Sequence, residues 1–103
     1  MTRKYIPDRS AFFDVLDLAI AEIDALATDA PGFPPYANIA RQLAAMKKWT
    51  ANGREPSPDE RGSIDVGLVA MRELEPAQDD LTQLALHHLY ELNGYFEDWP
   101  PDP

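Results

Sequence analysis

At 103 residues with no cysteine, the chain has room for one domain around one core, with no disulfide staple and no thiolate metal site. Nine basic against 18 acidic side chains give a net charge of −9. That balance argues against nucleic acid, which needs a basic surface to release counterions, and disfavours an anionic membrane. A basic protein partner would instead be attracted over long range, with more effect on association rate than on affinity.

Residues 1–9 read as an N-terminal arm. Asp14, Asp17, Glu22 and Asp24 interrupt the apolar-rich stretch 11–27, so it is neither a signal-peptide core nor a membrane span, and a cytoplasmic location is expected. With Ser10 as its cap, this stretch reads as a helix to about Asp29, stopped by Pro31-Gly32. Phe12, Val15, Leu16, Ala19, Ile23, Leu26 and Ala27 fall on one face and Asp14, Asp17 and Asp24 on the other. A second helix is expected from Pro34-Pro35 to Asn52-Gly53, with Tyr36, Ile39, Ala40, Leu43 and Met46 as its stripe. Ser57-Pro58-Asp59-Glu60 has the form of a capping box opening a third helix, which would bury Ile64, Gly67, Ala70, Met71 and Leu74. Gly67 inside that helix implies close approach of another backbone. After Glu75-Pro76, a fourth helix of about 78–93 would face inward through Leu81, Leu84, Ala85, His88 and Leu92. Gly94 would end it, leaving 95–103 as an extended proline-rich tail. Four amphipathic helices on short connections predict an all-α, compact antiparallel four-helix domain spanning 1–103.

Reactive constellations are lacking. His87 and His88 are adjacent, so on a helix their side chains diverge by about 100° and cannot share one metal. His88 lies on the apolar stripe and reads as a hydrogen-bonded core residue. Ser10 and Ser57 are accounted for as caps, Ser63 has no nucleophile-elbow context, and no glycine-rich phosphate loop occurs. Asp79-Asp80 suits the positive end of a helix. No catalytic residue, cofactor or metal is therefore expected, and binding is the function left. Leu18 stands among Asp14, Asp17, Ala21 and Ala25, where the helix's own amphipathicity requires no apolar side chain. Trp49 lies at the flank of its stripe and Tyr90 almost opposite Leu81, so both are candidates for packing or for partner contact.

Two stretches carry a family resemblance. One is Pro31-Gly32-Phe33, followed after eight residues by Gln42-Leu43 and then Met46. The other is Gly67-Leu68-Val69-Ala70-Met71-Arg72-Glu73-Leu74-Glu75, followed by Leu81 and Tyr90. Over about residues 31–92 the chain resembles a family of small helical immunity proteins that neutralise a type VI secretion effector destroying NAD(P)+. The resemblance implies a cytoplasmic antitoxin that binds the toxin domain and occludes its active site. Its toxin would consume NAD(P)+ or carry a related activity such as ADP-ribosyl transfer. The expected partner-binding residues are Asp14, Asp17, Leu18, Asp24, Glu73, Glu75 and Tyr90, with an ion pair as the competing role for Arg72 and Glu73. Two rival readings remain: a helical homodimeric adaptor, and a small metal-dependent or acid-base enzyme using His88.

Overall fold

The computed structural model describes residues 3–101. Its helices are α1 (Arg9–Asp29), α2 (Pro35–Trp49), α3 (Pro58–Gly62), α4 (Val66–Leu74) and α5 (Asp80–Asp98), with a 3₁₀ turn at Ala51–Gly53. The four longer helices form a ring in which α1 touches α2 and α5, and α4 touches α2 and α5. Neighbours run antiparallel. Phe12 stacks on Tyr95 while Glu22 meets His88, so α1 descends as α5 climbs. Gly67 meets Asn93 while Gln83 reaches Leu74 at the end of α4, which fixes the opposite sense for that pair. The all-α antiparallel bundle predicted from the periodicity is the fold observed.

Helix starts follow local chemistry. Ser57 and Glu60 form the predicted capping box, each side chain accepting from the other's backbone N–H at 3.2 and 2.8 Å. α5 is capped by Asp79, whose carboxylate accepts from the Thr82 N–H at 2.9 Å and the Thr82 hydroxyl at 2.6 Å. The expected cap at Ser10 is corrected to Asp8, which accepts from the Ala11 N–H at 2.9 Å; Ser10 lies within α1. The expected end of α2 at Asn52-Gly53 is corrected to Trp49: the chain passes through Thr50 into the 3₁₀ turn, where Asn52 and Gly53 take positive φ, +62° and +80°, and turn it away.

The single third helix is corrected to two. α3 is polar all round and buries nothing, so it stops after one turn, with the Ser63 hydroxyl donating to the Glu60 carbonyl. Ile64 drops into the core from the intervening loop, and the Asp65 N–H donates to Gln42 Oε1 at 2.9 Å. This break resets the helical phase. α4 buries Val66, Gly67, Val69, Ala70 and Leu74, and turns Met71, expected inside, outward at 47% exposure. The neighbour closest to Gly67 is a side chain rather than a backbone, since an added Cβ would lie 3.0 Å from Asn93 Cβ.

The expected stop at Gly94 is also corrected, because α5 continues to Asp98. Gly94 serves another purpose: a Cβ there would lie 3.3 Å from the Arg3 guanidinium, so glycine admits the N-terminal arm against α5. The inward face of α5 is Thr82, Ala85, Leu86, His88, Leu89, Leu92, Tyr95 and Phe96, and Leu81 and Leu84 are exposed instead. Trp99 is not part of an extended tail. It is only 6% exposed, ends α5 in a left-handed conformation, and packs edge-on against Phe12 and Tyr95. Arg9 secures it: the guanidinium lies 4.2 Å from the Trp99 ring and donates to Tyr95 Oη at 3.1 Å and to the Pro100 carbonyl at 2.6 Å. The last two residues of the predicted tail, Asp102 and Pro103, lie outside the described residues. Trp49 packs inward, stacking on Phe96.

Two expectations test this account. Trp99→Ala removes a buried indole and its edge-on contacts with Phe12 and Tyr95, so urea unfolding should show a loss of about 3 kcal/mol, where a disordered tail would show none. The second concerns acid. Hydrogen bonds from the Thr82 side chain and backbone hold the Asp79 carboxyl below its ordinary range, and those from the Ser57 backbone and Arg54 do the same for Glu60. Lowered folded-state values mean that the unfolded chain binds protons first. Their stabilisation is present above the ordinary carboxyl range and is lost as pH falls through the lowered values. Asp79→Asn keeps a cap without the titration, so stability measured by urea unfolding should fall less steeply below about pH 4 than in the parent.

Candidate functional site

Among the described residues, no cluster of His, Asp or Glu side chains is placed to hold a metal ion, and no helix is long and apolar enough to cross a membrane. His88 is enclosed at the α1–α5 seam. Its Nδ1 lies 2.7 Å from Glu22 Oε1, both side chains are buried, and the Tyr5 ring stands edge-on to the imidazole with centroids 4.8 Å apart. Whichever partner carries the proton, one hydrogen bond links them. Glu22 was not singled out in the sequence, although it borders Ile23 on the buried face of α1. The pair is a closed contact of the core, with both side chains less than a tenth exposed. Every enclosed side-chain N or O atom among the described residues has a hydrogen-bond partner.

Groups with shifted acidity sit at helix starts. Burial raises the Tyr36 phenol in the first turn of α2, while Glu60 and Asp79 are lowered by their capping bonds. Burial accounts for the first shift and capping hydrogen bonds for the other two, and none of the three residues lines the groove between α4 and α5.

The seven expected partner-binding residues are exposed or half-buried, but they occupy three places. Asp14, Asp17, Leu18 and Asp24 share the outer face of α1, where Leu18 is 49% exposed and Asp17 is tied to Lys47 of α2 at 2.8 Å. Glu73 lines a shallow hollow with Pro34, Pro35, Asn38, Val69 and Arg72, and pairs with Arg72 at 3.1 Å. Glu75 follows at the end of α4, where its carbonyl accepts from Gln83. Of the seven, Tyr90 alone lies in a groove between α4 and α5. In the ring of helices α1 and α4 occupy opposite corners, so one flat contact cannot cover both the α1 face and the α4–α5 groove.

That groove has a volume of about 740 Å³. Leu68 and Tyr90 stand over it at 63% and 59% exposure, with Met71 beside them and Ile64, Gly67 and Gly94 also in its lining. Asp65, Glu91, Glu97 and Asp98 supply four carboxylates, against the single guanidinium of Arg3, which is paired with Asp98 at 2.6 Å. Its walls are held by hydrogen bonds. The Gly67 N–H donates to Asn93 Oδ1 at 2.7 Å, and Glu91 Oε1 accepts from the Tyr5 and Ile6 N–H groups at 2.8 and 3.1 Å. A continuous third helix puts Met71 on the buried face and gives Leu68 no role, because its phase is wrong for α4. Their signal was present as an apolar i, i+3 pair beside Gly67.

The family model named Tsi6 matches residues 11–94, which takes in most of α1 and α5 and everything between them. The chain belongs to that family, one of type VI secretion immunity proteins. No curated protein matches, and no solved structure matches.

The buried pair yields a stability prediction. His88→Ala leaves Glu22 enclosed without a partner and should cost about 3 kcal/mol in urea unfolding. The double change Glu22→Ala with His88→Ala should cost less than the sum of the two single changes, since neither polar group is then left unpaired.

Proposed function

We propose that this immunity protein binds the toxin domain of a cognate type VI effector and covers its active site, and that the toxin consumes NAD(P)+. The supporting observation is the family match running through the whole helical bundle, over residues 11–94. The molecule itself suits inhibition by occupancy: hydrogen-bonded groups close its core, and its surface carries nearly all of the acidic excess. A toxin that binds the phosphates of a dinucleotide needs a positive cleft, and an acidic helical body presents the complementary potential. Blockade then requires a rigid shape and slow dissociation, with no turnover.

The acids of α1 contribute the long-range part of this attraction. Asp14 and Asp24 are exposed and take part in no ion pair among the described residues, whereas Asp17 is engaged by Lys47. Glu73 and Glu75 extend the negative potential around the far end of α4.

Two measurements test the reading. Co-expression with the toxin domain encoded beside this gene should preserve cellular NAD(P)+ and growth; loss of both in the presence of the folded chain would overturn it. In stopped-flow association with the purified toxin domain, Asp14→Lys with Asp24→Lys should slow binding by about tenfold at low salt, and the difference should shrink at high salt.

A further inference from the structure

The α4–α5 groove has the composition of an anchor site. Large exposed side chains scattered singly need no explanation, but Leu68, Met71 and Tyr90 converge on one concave surface. Tyr90 offers an amphipathic ring at small entropic cost, and Met71 adapts its shape to what it meets. The walls are fixed in advance by the Gly67–Asn93 bond and by the arm docked through Glu91 and Asp98, so little ordering remains to be done on binding.

Charge identifies the occupant. Four carboxylates line the groove, and the one guanidinium among them is already paired. Glu97 offers a carboxylate with no side-chain partner among the described residues. A second copy of this chain would bring the same acidic lining against itself across a two-fold axis, in a molecule of net charge −9. Anionic ligands are repelled for the same reason. The fitting complement is a protein segment with one or two apolar side chains flanked by lysine or arginine.

We propose that the groove between α4 and α5 is the surface on which the toxin docks, receiving such an apolar anchor with basic flanks, while the outer face of α1 acts at a distance. This inference rests on the immunity reading above and assigns its contact surface. Binding of the purified toxin domain is measured by calorimetry and surface plasmon resonance for the parent, Tyr90→Ala, Leu68→Ser with Met71→Ser, Glu97→Lys, and Asp14→Lys with Asp24→Lys. Each variant is first checked for parental thermal melting. Because the altered side chains are exposed, folding should be retained. Tyr90→Ala and the double serine variant should each weaken binding by about 30-fold or more through faster dissociation, and Glu97→Lys should weaken it by about tenfold. The α1 variant should leave the dissociation rate unchanged. Parental affinity in all three groove variants would overturn this inference and leave immunity standing, whereas a parent that does not bind the toxin would remove the immunity reading as well. A parent dimer in light scattering that Leu68→Ser with Met71→Ser separates into monomers would give the groove to a second copy and overturn the proposal.

Discussion

The contact on which the rest of the molecule's surface depends is the seam between α4 and α5. Gly67 has no side chain, so Asn93 comes close enough to accept its backbone N–H at 2.7 Å. A Cβ in that position would meet Asn93 at 3.0 Å and require the seam to give. At the other end of the same helix pair, Gln83 Nε2 donates to the Leu74, Glu75 and Ala77 carbonyls and gathers in the groups left open where α4 stops. A helix of only nine residues is marginal by itself. α4 is held because its first and last turns are both hydrogen-bonded to α5. That close docking also fixes where Leu68 and Met71 stand relative to Tyr90.

The α1–α5 seam works differently. It combines an aromatic cluster at one end, Phe12 with Tyr95 and Trp99, with the buried Glu22–His88 bond further along. Removing two polar groups from water costs free energy that their mutual bond only partly returns, so the pair adds more to the definition of register than to net stability. The N-terminal arm closes over it. Tyr5 covers His88, the backbone of Tyr5 and Ile6 is bound by Glu91, and Ile6 is buried. One helix, α5, thus receives the arm, α1 and α4, and its length beyond Gly94 is what allows Arg9 to bind the chain's two ends together through Tyr95, Trp99 and Pro100.

These seams produce a body whose interior is satisfied and whose surface is charged. In such a body an apolar groove stands out, since most of what surrounds it is polar. The division of labour proposed for the toxin complex follows from the ring of helices. Charges at one corner act through the field they generate, which needs no contact, while desolvated anchors at another act only where surfaces meet.

By itself the sequence determined the helical class, the antiparallel order, the Ser57 capping box and the acidic balance. These rest on local hydrogen bonding, on residue counts, or on a periodicity that repeats over several turns. It also placed His88 on an inward face, through its spacing from Ala85 and Leu92. What it left open had one common cause: each depended on an element distant along the chain. Gly94 reads as a helix stop until the arm that packs on it is seen, and Trp99 reads as tail until Arg9 is brought alongside. Met71 reads as core until a break at Ser63–Asp65, supported by Gln42 of another helix, rotates α4. The expected partner surface joins the outer face of the first helix to Glu73, Glu75 and Tyr90 of the family-like stretch, and only the packing of the helices decided that Asp14 and Tyr90 belong to different faces. Periodicity fixes which side of a helix is wet; tertiary structure decides which wet sides lie together.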